Sequence, residues 1–306
     1  MQGDPRHRFL TVDVFTSRPF AGNPLAVFPD ARAIPDDRLQ AIAREFNLSE
    51  TVFVYPPADR AHARRLRIFT PTEELPFAGH PTVGAAYTLA AIGEIPLDGA
   101  EVRIVLEEGV GPVPVVIHAK DGAPTFAQLT AAKLPETGPP PPGRTSLAEL
   151  LSLDPADLLG GMTAPQAVSC GLPFLFVPLR DRAAVGRARV RMDRWESTLK
   201  SYWAPQVMVF SRDPEQPGAD VRARVFVPGL AVPEDPATGS AAVALGGYLA
   251  ARESATDATL RYMIEQGVEM GRPSYLHVEV EKAGGDVTAV RVGGECVLIS
   301  EGTITA

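Results

Sequence analysis

Two stretches of the chain read alike at a nearly fixed spacing, and a duplicated chain folds into two copies of one supersecondary unit. Residues 67–71 read RIFTP and residues 224–228 read RVFVP, an offset of 157. Downstream, His80-Pro81 is matched to Asp235-Pro236 and Gly84 to Gly239, both at an offset of 155, so a two-residue loop difference reconciles the halves. Each half then reads strand, loop, x-Pro and a small-residue helix. Short β-type runs recur between these landmarks, at 9–15, 25–29, 51–56, 64–71, 101–107, 112–119, 174–179, 207–211, 222–228 and 275–281. Many are bounded by Pro, Gly or Asp. Helical periodicity is rarer. It is clearest at 36–46, where Leu39, Ile42, Ala43 and Phe46 follow i, i+3, i+4, i+7 behind Asp36 or Asp37, with Asn47 as the stop. Further helices are expected at 81–92, 146–152, 192–202 and 236–251. Strands outnumber helices, which gives an α+β class. The ETGPPPPGR stretch at 136–144 reads as a stiff linker. A boundary within 120–145 follows, drawn as an N-terminal lobe 1–125, to which the last C-terminal residues can return, and a C-terminal lobe 126–306 that repeats the first.

Composition removes several function classes. Lys plus Arg (29) against Asp plus Glu (37) leaves a net charge of −8 over 306 residues, so a polyphosphate backbone repels the chain and nucleic acid is not an expected partner. The longest apolar runs, such as FLFVPL at 174–179, fall far short of the roughly 20 residues that span a bilayer. Met1 is followed by polar residues and not by a secretory apolar region, so no membrane association and a cytoplasmic location are expected. Only Cys170 and Cys296 are present, without a C-x-x-C pair, and five histidines (His7, His62, His80, His118, His277) are scattered singly. Neither a metal nor a nucleotide cofactor is expected, since Gly-rich phosphate loops and a nucleophilic serine elbow are also absent. Any catalysis then rests on side chains alone, carboxylates foremost.

Three groups are candidates for that chemistry. Pro81 and Pro236 sit where the first helical residue is expected, which makes His80 and Asp235 the flanking N-cap residues. Two facing helix starts rich in Gly and Ala can cradle a substrate carboxylate; the plain alternative is that Asp235 merely caps its helix and His80 is structural. Glu50 opens the TVFVYP strand on the face of Val52 and Val54, an apolar setting that disfavours the charged form and raises the pKa toward a range useful for proton transfer. Against this stands a Glu50 at a wet strand tip or paired with an arginine. Asn23, in the PFAGNP turn, either serves turn chemistry or presents its amide to the cleft. Arg272 either pairs with a substrate carboxylate or makes a structural salt bridge, and Glu73 and Glu74 read as a solvated face.

Taken together, VDVFTSRPFAGNPLAVF, IAREFNLSETVFV, RIFTPTEELPFAGHPTVGAA, GLPFLFVPL, EDPATGSAA and QGVEMGRPS resemble the PhzF-like phenazine biosynthesis isomerase family, in order and across essentially the whole chain. The resemblance implies the diaminopimelate epimerase-type fold: two similar lobes, each a curved, mainly antiparallel sheet wrapped around a central helix, with the active site in the cleft between them. It implies a cofactor-independent, metal-free isomerase, often a homodimer, that moves a proton within a small carboxylate-bearing substrate by general acid/base catalysis. Catalytic residues carried over are Glu50 of NLSE, His80 of AGHP and Asp235 of EDPATGS. Ser240 is carried over as the substrate-contacting serine, and Gly79 and Gly239 as cleft-lining residues. The paired cysteines of related racemases have no counterpart at the two helix entrances. The rival expectations are a non-enzymatic binding or regulatory protein with the same cleft, and a two-base racemase or epimerase using Glu50 against Asp235 or His80.

Overall fold

The structure, a computed structural model, describes residues 6–230 and 232–306. It divides into two units, one formed by residues up to Thr130 together with Gly293–Ala306, the other by Ala131–Val292. The polyproline stretch lies inside the second unit, where Tyr202 Oη donates to the Pro139 carbonyl at 2.6 Å.

In the first unit, β1 (Arg6–Val14) and β2 (Asn23–Phe28) form an antiparallel pair. Helix α1 (Asp36–Phe46) buries Leu39, Ile42 and Ala43 and stops at Asn47, whose φ of 50° is left-handed. Strand β3 (Glu50–Tyr55) runs parallel to β2 and antiparallel to β4 (Arg64–Phe69). The short β5 (Glu74–Leu75) pairs back onto the end of β4 and leads to α2 (Gly79–Ala91). Strand β6 (Glu101–Glu108) lies parallel to the start of β4 and continues as an antiparallel meander through β7 (Gly111–Lys120) and β8 (Ala123–Thr130).

The second unit begins with β9 (Glu136–Thr137) and α3 (Arg144–Leu151). The antiparallel β10 (Gln166–Ser169) and β11 (Pro173–Pro178) follow, then α4 (Arg182–Arg187) and α5 (Met192–Thr198). Strand β12 (Gln206–Ser211) is parallel to β11 and antiparallel to β13 (Val221–Val227), onto which β14 (Val232–Asp235) folds back. After α6 (Gly239–Ala250), β15 (Ala258–Gln266) is parallel to β13 and antiparallel to β16 (Ser274–Ala283), with β17 (Asp286–Gly294) next. The last strand, β18 (Cys296–Thr305), belongs to the first unit and pairs along the whole of β1.

The pairings of β1 to β7 are therefore repeated, one for one, by β10 to β16, and the protein is an α+β chain of two like units. Each central helix is buried around nearly its whole circumference, which places it in a core and not on a surface. In α2, every residue from Gly79 to Ala86 is buried. The sheet closes on it so tightly that a Cβ at Gly84 would lie 2.7 Å from methyl carbons of both Val14 and Leu25. Gly246 of α6 is as close to Val278, with 2.7 Å to its Cγ1.

The strand register corrects the repeat as read from the sequence. Ile68 of β4 pairs with Leu75, and Val225 of β13 pairs with Asp235; the two helices begin at Gly79 and Gly239. The counterpart of Asp235-Pro236 is thus Leu75-Pro76, and the counterpart of His80 is Ser240. The x-Pro match misaligned the halves because both units hold a proline just before the helix and the first holds another inside it.

Candidate active site

Strands β2 and β3 run parallel with Leu25 opposite Glu50, so their first residues, Asn23 and Glu50, lie at the same end of the sheet. The first turn of α2 brings His80 to that end. Asn23 Nδ2 donates to His80 Nδ1 at 3.2 Å, and His80 Nε2 lies 3.2 Å from Glu50 Oε2. Asn23 is fully buried, His80 is 4% exposed and the Glu50 side chain retains 16% of its exposure. With Nδ1 accepting from an amide, the neutral imidazole carries its proton on Nε2, the ring nitrogen nearer the Glu50 carboxylate. Burial pushes the His80 imidazole down to about 3, so it is neutral at pH 7.

A neutral, buried His80 has a measurable consequence. Its ring resonances should not titrate between pH 5 and pH 8, and its Nδ1 should give the nitrogen shift of an unprotonated acceptor. The same burial makes stability pH-dependent. Between about 3 and the unfolded value of 6.5 the unfolded chain binds a proton that the folded chain does not, so this group's contribution to stability is lost as the pH falls below 6.5.

In the second unit, Asp235 ends β14 and is 9% exposed. Its Oδ2 accepts from Thr238 Oγ1 at 2.6 Å, and its carbonyl accepts from Gln266 Nε2 at 2.8 Å. Gln266 Nε2 also donates to Thr238 Oγ1 at 3.1 Å, while its Oε1 accepts from the Thr238 backbone N–H at 3.2 Å. The next residue, Gly267, sits at φ 75°, and a Cβ there would fall 2.4 Å from the Arg272 carbonyl oxygen and 2.5 Å from that of Pro236. Only glycine lets the 267–272 turn lie against the Asp235-Pro236 segment. Ser240 is the second residue of α6 and is half-buried.

Two sequence readings need correction. His80 is not an N-cap: it lies inside α2, behind Ala78 and Gly79, with Pro81 as the third helical residue. Pro81 is tolerated there because the first helical N–H groups have no intrahelical partner. Asp235 is not an N-cap either; Thr238 precedes α6, and Asp235 is a strand end whose carboxylate receives the Thr238 hydroxyl. Glu74 is bound twice by Arg67, at 2.8 Å through each carboxylate oxygen, an arrangement repeated by Arg224 on Glu234 in the second unit. Gln266 and Thr238 escaped the sequence reading, although Gln266 heads the QGVEMGRPS motif that drew attention to Arg272.

The family model for phenazine biosynthesis-like proteins matches residues 12–302. An uncharacterised isomerase of Mesorhizobium japonicum is 41% identical over 97% of this chain and 98% of its own. A trans-2,3-dihydro-3-hydroxyanthranilate isomerase of Pseudomonas aeruginosa is 38% identical, covering 97% and 98%. Among solved structures, a PhzF-family phenazine biosynthesis protein of Bacillus anthracis superposes with a TM-score of 0.87 at 24% identity, over 98% of this chain and 99% of that one. A hydroxyproline epimerase of Agrobacterium vitis shares the fold at a TM-score of 0.63 and 14% identity, over 99% and 92%. With the duplicated central-helix units and a match along nearly its full length, the chain belongs to the PhzF-type phenazine biosynthesis-like family of isomerases.

Proposed function

We propose that this isomerase moves a proton within a small, unsaturated or carbonyl-activated acid, with Glu50 as the group that takes the proton from one carbon and returns it to another on the same face. The supporting observation is the Asn23–His80–Glu50 chain, in which a buried amide fixes the tautomer of a neutral imidazole beside a carboxylate. The transfer is redox-neutral. The C–H electrons remain in the substrate as its double bond shifts, and the proton lost at one carbon is regained at another, so no cofactor or metal enters the scheme. His80, held by Asn23, stays neutral beside Glu50 as the carboxylate gains and loses the proton. Asp235 is assigned to an amino or hydroxyl group, and Ser240 with the N–H of Gly239 to a carboxylate, a favourable use of a helix start. Gly79 leaves room for the substrate at the start of α2.

The test is turnover. The chelator-treated protein is incubated with trans-2,3-dihydro-3-hydroxyanthranilate, the compound in the name of the Pseudomonas aeruginosa relative, and with a panel of cyclic and acyclic unsaturated amino and hydroxy acids. Products are identified by NMR. The proposal expects a double-bond isomer of at least one acid, of unchanged mass. Inversion of a stereocentre without a double-bond shift would identify a two-base epimerase instead, and tight binding without conversion would identify a binding protein.

A further inference from the structure

Glu108, the last residue of β6, takes no part in the proposed reaction. It is 8% exposed, and its Oε1 lies 2.6 Å from Thr82 Oγ1. The same hydroxyl lies 2.7 Å from the carbonyl oxygen of Ala78, the residue before α2. A threonine has one hydroxyl proton to give. Given to Ala78, it leaves the Glu108 contact closed only if the carboxyl carries its own proton and donates to Thr82. An ionised Glu108 would draw the Thr82 hydroxyl away from Ala78. It would also hold charge on Oε2, which has no hydrogen-bond partner among the described residues. Burial accordingly pushes the Glu108 carboxyl up to about 8, with Thr82 pulling weakly the other way.

The repeat supplies a second, independent observation. Arg65 of β4 pairs with Glu107 of β6, and Arg222 of β13 pairs with Glu265 of β15, so the next residues, Glu108 and Gln266, are counterparts. Gln266 is an amide, which stays neutral at every pH, and it holds the residues leading into α6 at Asp235 and Thr238. Both units therefore place a buried hydrogen-bonding side chain, from the same strand position, beneath the start of the central helix.

We propose that Glu108 is a positioning residue, a neutral acid that fixes the first turn of α2 through Thr82 and Ala78 and so sets the orientation of His80. The charged and titratable groups sharing its cavity are Asp36 of α1, Tyr55 of β3, Arg65 and Arg67 of β4 and Glu74 of β5. Arg67 is taken by Glu74 and Asp36. On its own strand, Glu107 is held by the N–H groups of Ala58 and Asp59 and by His62. Thr82 is the side-chain partner of Glu108 among the described residues.

The test compares wild type with Glu108→Gln and Glu108→Ala and needs no substrate, so it stands apart from the proposed reaction. An acid protonated in the folded state and ionised in the unfolded state between about 4.5 and about 8 loses stability as the pH rises through that window. Glutamine has no such loss. The Tm advantage of Glu108→Gln over wild type should therefore widen from pH 5 to pH 8 and stay constant above it. The side-chain carboxyl carbon of Glu108, assigned by difference from Glu108→Gln, should give the shift of a protonated acid at pH 6.5. The His80 ring resonances should match wild type in Glu108→Gln and move in Glu108→Ala. A carboxyl already ionised at pH 6.5, a pH-independent Tm gap, or a His80 shift as large in the glutamine variant as in the alanine variant would overturn the proposal.

Discussion

Replacing Glu50 by glutamine should lower kcat/KM by about 10³-fold, within the range ascribed to a positioned general acid or base, with Tm unchanged within about 2 °C. Glutamine has the same shape and can occupy the same place beside His80, whose Nε2 lies 3.2 Å from Glu50 Oε2. What disappears is the capacity to take up a proton. Glu50→Asp sharpens the point. It keeps the carboxylate but withdraws it by one methylene, and a misplacement of about 1 Å costs roughly 10²-fold in rate. The expected order of activity is wild type, Asp, then Gln. Steady-state rates on an acid that wild type converts, with thermal melts of all three proteins, check it. Equal loss of activity and stability in Glu50→Gln would mean that the residue is structural.

The second large effect is on stability. Arg224 is 3% exposed, and its guanidinium makes two bonds of 2.8 Å to Glu234 and donates to the carbonyls of Val185, Gly186 and Ala188. Those carbonyls end α4, where a cation is favoured by the helix dipole. Arg224→Met fills similar space but leaves Glu234, which is 17% exposed, and the carbonyls without their donor. Breaking a buried pair from one side costs about 3–5 kcal/mol, so Tm should fall by about 10 °C. The counterpart in the first unit is a control. Arg67 is 27% exposed and its partners Glu74 and Asp36 are 42% and 82% exposed, so water replaces what Arg67→Met removes. That variant should lose about 1 kcal/mol or less. Urea and thermal unfolding of both proteins measure the difference, and equal losses would contradict it. Because Glu234 immediately precedes Asp235, Arg224→Met should also raise KM more than Arg67→Met does.

Legibility in the sequence followed the physics of each element. Helix α1 was readable to the residue, since it lies against the sheet with one face wet and its apolar positions recur with the helical period. The strand beginning at Glu50 was readable because Val52 and Val54 are flanked by turn residues. Helices α2 and α6 gave no period, because they are buried on every side; Gly, Ala and the neighbouring prolines marked them instead, at the cost of misplaced starts. Strands β8, β10, β15, β17 and β18 are absent from the runs legible in the sequence; in β8 and β15, polar residues such as Gln128, Arg261 and Glu265 interrupt the apolar pattern. The family motifs named Glu50 and His80, but nothing local in sequence joins either to Asn23. Those contacts depend on strand order, as does the hold of Gln266 on Asp235.

The most direct measurement of Glu50's role is deuterium incorporation from heavy water during a single turnover, read by mass spectrometry and NMR on the product. Wild type should place one deuterium at the carbon that receives the proton, in the fraction set by exchange of Glu50 with solvent, while Glu50→Gln places none above the uncatalysed background. Incorporation by Glu50→Gln at the wild-type rate would contradict the assignment of proton transfer to that carboxylate.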